Sequence, residues 1–240
     1  MSTAALWVWR RSRRRLSILL AFSAFFFAGC ESIELASDAG DGPGPLRPHP
    51  ENPRYFAHPG GSPIYLTGSH TWNNVVDMGQ SDPPARLDFP AHVEWLKDQG
   101  HNFTRLWTWE LLRWDAASLK GQPPRNHFIA PHRYVRSGPG LATDGKPRFD
   151  LTRLNDAYFE NLAERVRIAG ENGIYVSVML FEGWGNQIIS GAYAQSPYNP
   201  ANNINGVDGD LNQDGVALEV HQLAVPAITE IQKRYVARVL

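Results

Sequence analysis

One segment limits the possible fold more than any other. Residues 173–181 read GIYVSVMLF, a run that is apolar almost throughout and rich in residues that favour strands. Such a run is typical of a parallel strand whose two faces are both covered by other elements. Glu182 and Trp184 follow almost directly, so we expect polar and aromatic side chains at the carboxyl end of this strand.

Further extended runs and helical patterns occur on both sides of this segment. Residues 63–68 (PIYLTG) and 101–110 (HNFTRLWTWE) favour strands, and residues 54–57 with the Pro-Gly-Gly turn predict a short β-hairpin. Strands that alternate with helices favour a parallel sheet with crossover helices. Apolar stripes predict these helices over residues 88–100, from Asn155 to Ala169, and from Pro226 onward.

Long connections follow the predicted strands, over residues 111–150 and 183–224, whereas the connections before the strands are short. Function at the carboxyl ends of strands suits a TIM barrel or an open doubly wound sheet. No glycine-rich phosphate fingerprint follows a strand, which removes the strongest reason to choose a nucleotide-binding doubly wound fold.

The first 30 residues predict an export signal. Five arginines between residues 10 and 15 precede the run LSILLAFSAFFFAG, which is too short to span a membrane stably and suits a signal peptide. The run leads into Cys30, the only cysteine, so no intrachain disulfide can form. Phe-Ala-Gly-Cys resembles the lipobox of bacterial lipoproteins, with Phe27 where Leu is usual, and this implies lipidation of Cys30. A plain secretory signal cleaved near Cys30 is the alternative.

The remaining chain divides into a tether and a domain. Residues 31–51 are small, acidic and rich in Pro and Gly, which is the composition of a flexible tether between an anchor and a domain. Residues 52–240 carry the structural patterns. The formal net charge is −1, without a basic excess, so we expect no nucleic-acid partner.

Polar and aromatic side chains recur at the same end of the three predicted strands. Sugars present hydroxyl groups around apolar C–H faces, so a sugar site needs indole rings beside hydrogen-bonding groups. The position of any single tryptophan is more simply explained by core packing. Core packing explains less well why polar and aromatic residues cluster after all three predicted strands. Arg105 needs a carboxylate partner if it is buried, and an edge position that reaches solvent is the alternative. The clusters are Ser69, His70, Trp72, Asn73 and Asp77; Arg105, Trp107, Trp109 and Glu110; and Glu182, Trp184 and Asn186.

These segments resemble a known family. The stretch Gly100 to Arg105, the sequence GSHTW at residues 68–72 and the third strand resemble the large clan of retaining glycoside hydrolases with a TIM barrel. The segment from NPRYF to NNVVD, residues 52–77, resembles the start of its cellulase-like branch. The resemblance covers about residues 52–240. It implies an α/β fold, a (β/α)8 TIM barrel of which only the first three or so βα units are present after the hairpin.

The resemblance also implies a function, namely an exported enzyme that hydrolyses O-glycosidic bonds of a poly- or oligosaccharide with retention. In this clan the acid/base Glu follows an Asn at the end of strand four, and the nucleophile ends strand seven. Both are therefore expected beyond Leu240, so this chain is expected to be an inactive N-terminal fragment in which Arg105 would support the nucleophile. The substrate-binding residues would be His70, Trp72, Arg105, Trp107, Trp109, Glu110, Glu182 and Trp184.

Two alternatives remain beside this interpretation. The first is a non-catalytic carbohydrate-binding surface lipoprotein that binds sugar through the same aromatic residues. The second is a hydrolase that uses Glu110 and Glu182, because retaining hydrolysis needs two carboxylates about 5 Å apart and adjacent strands could bring these two together.

One acidic loop suits a metal ion. Residues 208–215 read DGDLNQDG, in which Asp208, Asp210, Asn212 and Asp214 place oxygens at alternate positions, as Ca²⁺ prefers. His221 stands where an EF-hand loop has its Glu, and a solvated turn is the alternative. The histidines show no H-x-x-x-H spacing, so we expect no zinc site and no required cofactor.

Overall fold

The chain divides into two compact units. The smaller unit spans Trp9–Tyr65, and the larger one spans Met1–Val8 with Leu66–Leu240. Most of the predicted signal peptide, including Cys30, and most of the predicted tether lie outside the described residues, as do Trp184 and Asn186. A computed structural model of the chain describes residues 5–6, 45–58, 60–115, 126–183, 185 and 191–240.

The described residues form three α-helices, two 3₁₀ turns and a set of short strands. The helices are α1 (Phe89–Asp98), α2 (Asp156–Glu171) and α3 (Pro226–Val239), and the 3₁₀ turns are Ala192–Gln195 and Leu218–His221. The strands are β1 (Ala5–Leu6), β2 (Arg47–Pro48), β3 (Phe56–Ala57), β4 (Pro63–Ile64), β5 (Asp77–Gly79), β6 (Phe103–Leu106), β7 (Arg113–Asp115), β8 (Asn126–Ala130), β9 (Tyr134–Leu141), β10 (Pro147–Leu154) and β11 (Tyr175–Met179).

The smaller unit contains an antiparallel sheet in the order β2–β3–β4. Phe56 lies opposite Ile64, so the two extended runs of the sequence pair as a hairpin. The backbone N–H of His58 donates to the carbonyl of Ser62 across the turn, at 2.9 Å.

Two parallel strands lie at the centre of the larger unit. β6 pairs with β11 from Phe103 opposite Tyr175 to Leu106 opposite Val178. Gly68 forms a single parallel bridge to Phe103 on the other side of β6, and β1 pairs antiparallel with β11. Three chain segments therefore run in the same direction, and the residues that follow Gly68, β6 and β11 emerge at one end of the sheet.

The three predicted helices are confirmed, with small shifts at their ends. Asp88 caps α1 by accepting a hydrogen bond from the backbone N–H of Ala91, and Asn155 caps α2 in the same way. α3 begins at Pro226. Proline is tolerated there, because the backbone N–H groups of the first turn have no partner within the helix. Each helix buries an apolar stripe that includes Val93, Leu162 or Ile231. Within the described parts of the chain, we find no helix with the length and apolar character needed to span a bilayer.

The expected barrel is wrong. The described residues form small sheets that are mostly antiparallel, and β6 with β11 is their one parallel strand pair. Residues 63–68, expected to form a first barrel strand, contribute only β4 to the small sheet and the single bridge at Gly68. No series of alternating strand and helix units therefore develops among the described residues.

The antiparallel strands arise largely from the segment that the sequence suggested was one long loop, residues 111–150. It contains β7, β8 and β9 and the start of β10. β8 pairs with both β5 and β7, and β9 pairs with β10 as a long hairpin. Gly138 and Gly140 take left-handed backbone angles inside β9, with φ of 64° and 77°, so Gly and Pro that suggested a loop lie within a strand.

Candidate functional site

Four aromatic residues meet at the carboxyl end of the central sheet. The parallel bridge at Gly68 places the following segment beside the end of β6. The buried side chain of Asn74 joins the two segments, because its Nδ2 donates to the Arg105 carbonyl at 2.6 Å and its Oδ1 accepts from the Trp107 N–H at 2.5 Å. The group so formed, named here the aromatic ledge, consists of His70, Trp72, Trp107 and Trp109.

The rings of the aromatic ledge contact one another in series. The imidazole of His70 stacks on the indole of Trp107, with ring centroids 5.4 Å apart and planes 6° from parallel. Trp72 meets Trp107 edge-on at 4.7 Å and is 51% exposed. Trp109 is buried at 4% exposure, and its Nε1 donates to the Trp72 carbonyl at 2.7 Å. The ledge thus has a buried base and an exposed edge.

Arg105 lies beside the aromatic ledge on β6. Its strand neighbours Thr104 and Leu106 are fully buried, whereas Phe103 and Arg105 are half-buried on the opposite face of the sheet. Partial burial, and then the charge of Arg105, lower the pKa of His70, so this imidazole is neutral near pH 7. Within the part of the chain that the structure describes, no carboxylate lies within 4.0 Å of the Arg105 guanidinium.

The two glutamates that follow β6 and β11 also meet, but in the interior. Glu110 is 3% exposed and Glu182 is 1% exposed. The backbone N–H of Glu182 donates to Glu110 Oε1 at 2.9 Å, and the Gly185 N–H donates to Glu182 Oε1 at 2.8 Å. Each carboxylate therefore accepts a hydrogen bond from a backbone amide in the interior.

Arg133 supplies the charge that balances Glu110. Its Nη2 lies 3.1 Å from Glu110 Oε1, and both side chains are almost fully buried. The guanidinium carbon lies 4.2 Å from the centroid of the Tyr235 ring on α3, a cation–π arrangement. Burial disfavours the charge of Arg133, but the Glu110 carboxylate, together with Tyr235, Tyr158 and Tyr134, outweighs this effect and raises the pKa of Arg133 above its ordinary value.

A row of hydroxyl groups continues from this ion pair. Thr108 Oγ1 lies 3.5 Å from Arg133 Nη2 and 2.9 Å from the Tyr158 hydroxyl, which is 3.1 Å from the Tyr235 hydroxyl. The network links the end of β6 to α2, to α3 and to the start of β9. Arg133 was not among the predicted site residues, because it lies in the segment interpreted as a loop. The neighbouring Tyr134 and Val135, which favour strands, were the available signal.

The cleft at the buried pair is too small for a sugar. It has essentially no room even for a water molecule, whereas ligand pockets usually hold about 300–1,000 Å³. Glu110 and Glu182 come together as sequence analysis envisaged for a hydrolase, but their contacts tie strand ends to each other. The cleft is lined by Trp109, Glu110, His132, Arg133, Tyr134, Phe149 and Pro197.

The acidic loop satisfies its own oxygens. Asp210 accepts hydrogen bonds from the N–H groups of Asp214 and Gly215, Asn212 accepts from Asp214, and Asp208 accepts from the Tyr193 hydroxyl. Among the described residues, no group of three or more His, Cys, Asp or Glu side chains is arranged to hold a metal ion. The calcium site remains a prediction, and the turn alternative agrees with these contacts.

Comparison with known proteins identifies one region. A family model described as "Domain of unknown function (DUF6298)" matches residues 127–211, which is less than half of the chain. No curated protein and no solved structure matches. The matched region includes Arg133, Glu182 and Asp208, whereas the aromatic ledge lies before it.

Proposed function

We propose that this chain binds a poly- or oligosaccharide at the aromatic ledge, as the substrate-binding part of an exported glycoside hydrolase. The observation that carries the proposal is the stack of His70, Trp72 and Trp107 at one end of the sheet, with Trp72 about half exposed. Apolar C–H faces of sugar rings pack on exposed indoles, and this packing orders the sugar for hydrogen bonding.

Polar groups that sugar binding requires lie around these rings. Thr71, Asn73 and Ser69 share the segment with the ledge, and the Thr71 hydroxyl donates to Asn73 Oδ1 at 2.6 Å. Neutral His70 offers one donor and one acceptor nitrogen, which suits hydroxyl groups that both donate and accept. A rigid aromatic platform with adaptable polar neighbours is the composition of a carbohydrate site.

Saccharide titration of three tryptophan variants tests this proposal. Calorimetry with β-linked gluco-, manno- and xylo-oligosaccharides should detect binding to the unaltered chain. Trp72→Ala and Trp107→Ala should each lower the affinity about tenfold, since each removes a large aromatic contact. Trp95→Ala is the matched control, because Trp95 is 47% exposed on α1 and stacks on His92 outside the ledge. Equal losses in all three variants would contradict a role of the ledge.

A non-catalytic carbohydrate-binding protein is the second candidate. It is favoured by one observation, which is that Glu110 and Glu182 are both buried and hydrogen-bonded to backbone amides. An assay for release of reducing ends from the bound saccharide separates the two candidates. The protein for this assay is purified from the cells that naturally produce it. If hydrolysis occurs and is abolished in folded Glu110→Gln and Glu182→Gln variants, the buried pair itself is the catalytic pair.

Export and lipid anchoring belong to the same proposal. The supporting feature is the run of arginines, the apolar segment and the lone Cys30, all in the sequence. Cells that express the chain should incorporate labelled fatty acid into it and hold it in the membrane fraction. Cys30→Ala should remove the label. If the segment is only a secretory signal, the unaltered chain should already carry no label.

A further inference from the structure

The charges at the end of the central sheet are unevenly divided between interior and surface. Glu110 and Glu182, the acids that follow β6 and β11, are buried, and Glu110 is paired with Arg133. Asp77, the acid that follows the Gly68 segment, pairs with Arg165 at 2.9 Å. The acidic groups that could neutralise Arg105 are thus engaged elsewhere among the described residues.

Arg105 faces the same side of the sheet as the aromatic ledge. Side chains two residues apart on a strand lie on one face, so Arg105 shares its face with Phe103. Trp107, two residues further along, continues the same spacing. Trp107 stacks on His70, and the charge of Arg105 acts on that imidazole. Ser177 lies opposite Arg105 on β11 and is buried, so the paired strand β11 fixes the backbone position of Arg105 beside the ledge.

From this arrangement we propose that the aromatic ledge selects an acidic saccharide, whose uronic-acid carboxylate pairs with Arg105. The inference rests on the proposed carbohydrate function and specifies its substrate class. A planar guanidinium matches a carboxylate with two parallel hydrogen bonds, and a half-buried site strengthens the attraction over that in open water. The tryptophans hold the apolar face of the ring, and Arg105 recognises its carboxylate.

Two pairs of probes isolate the carboxylate. One pair is a β-1,4-linked glucuronate oligosaccharide and the equivalent cello-oligosaccharide. The other is a β-1,4-linked mannuronate oligosaccharide and the equivalent manno-oligosaccharide. Within each pair the ring and the linkage are the same, and only the carboxylate replaces the hydroxymethyl group. In at least one pair we expect the acidic member to bind about tenfold more tightly to the whole 240-residue chain.

The ratio of the two affinities is the quantity to compare among variants. Arg105→Gln should bring the ratio to about one, and Arg105→Lys should leave an intermediate ratio because it retains the charge without the planar fork. Arg86→Gln is the control, since Arg86 is an exposed arginine of the same unit. If Arg105→Gln fails to fold, the salt dependence of the unaltered chain decides. The ratio should fall between about 50 mM and about 500 mM NaCl, and a constant ratio overturns the inference.

The remaining outcomes separate this inference from the proposed function. Equal affinity for both members of each pair would overturn the acidic preference and leave carbohydrate binding intact. A preference that persists in Arg105→Gln would overturn the role of Arg105. Absence of binding by all four probes and by the xylo-oligosaccharides would overturn the carbohydrate proposal, and the inference with it.

Discussion

The carboxylate of Glu110 accepts a hydrogen bond from the backbone N–H of Glu182, with the two atoms 2.9 Å apart. Glu110 follows β6 and Glu182 follows the neighbouring parallel strand β11. The contact between them joins the side chain of one to the backbone of the other, and does not join the two carboxylates. The same Glu110 oxygen lies 3.1 Å from Arg133 Nη2. One buried carboxylate therefore connects the ends of β6 and β11 to the start of β9.

Removal of Arg133 should strongly destabilise the chain. In Arg133→Met the Glu110 charge would remain buried without its cation, which typically costs about 3–5 kcal/mol. The free energy of unfolding, measured by urea denaturation, should fall by that amount. A cost below about 1 kcal/mol would show that Glu110 is neutral or that the site opens to water.

An exposed ion pair provides the comparison for this variant. Arg86 pairs with Glu164 at 2.7 Å, and their side chains are 68% and 46% exposed. Arg86→Met should change the free energy of unfolding by about 0–1 kcal/mol, since water solvates both charges. The difference between the two variants then reports burial of the pair and not the loss of an arginine as such.

Gly68 and Gly170 should respond to alanine in opposite directions. A Cβ on Gly68 would lie 1.7 Å from the backbone oxygen of Phe103, which the β6–β11 pairing holds in place. A Cβ on Gly170, exposed in α2, would meet nothing within 4 Å. We expect Gly68→Ala to cost at least about 3 kcal/mol and Gly170→Ala to gain about 0.5–1 kcal/mol in urea denaturation. Similar effects at both positions would contradict the close approach at Gly68.

The sequence predicted elements that depend on local chemistry. Apolar stripes located the three helices within a few residues, and the apolar run of residues 173–181 marked β11. The convergence of His70, Trp72 and Trp107 also followed from their positions after strands. These features depend on neighbours in sequence or on strand direction, both of which a single chain displays.

The antiparallel strands and the buried ion pair could not be predicted in the same way. β9 contains Gly138, Pro139 and Gly140, whose local preference is for turns, and pairing with β10 overrides that preference. Arg133 is separated from Glu110 by 22 intervening residues, and no local sequence pattern predicts their contact. The barrel expectation was wrong for the same reason, because it treated this strand-forming segment as a connection.

Acid should destabilise the chain through His132 before its carboxylates are protonated. Removal from water, and then the charge of Arg136, lower the pKa of His132 from 6.5 to about 3. The unfolded chain therefore binds more protons than the folded chain between these values. Stability is complete above pH 6.5 and declines as the pH falls from 6.5 toward about 3.

Thermal melts across this range measure the effect. His132→Asn should flatten the decline of the melting temperature between pH 6.5 and about 4, since it removes the group that takes up the proton. His127→Asn removes another histidine of the same unit and serves as the control. The same slope in the unaltered chain and in His132→Asn would assign the acid sensitivity to other groups.

Asn74 should act as the positioning residue of the aromatic ledge. Its side chain bonds the Arg105 carbonyl and the Trp107 N–H, as a strand partner would, and it is fully buried. Asn74→Ala leaves both backbone groups without a partner, at about 1–3 kcal/mol each, and frees Trp107 to shift. The free energy of unfolding, the near-ultraviolet circular dichroism of the tryptophans and the saccharide affinity should therefore all decrease.

A second buried asparagine distinguishes positioning from stability. Asn203 is 1% exposed, and its Nδ2 donates to the carbonyls of Pro197, Asn199 and Val207, outside the ledge. Asn203→Ala should lower the free energy of unfolding by a similar amount, because it also leaves buried backbone groups unsatisfied. Its saccharide affinity, measured well below the melting temperature, should match that of the unaltered chain. If Asn74→Ala also retains full affinity, the ledge does not depend on Asn74 for its arrangement.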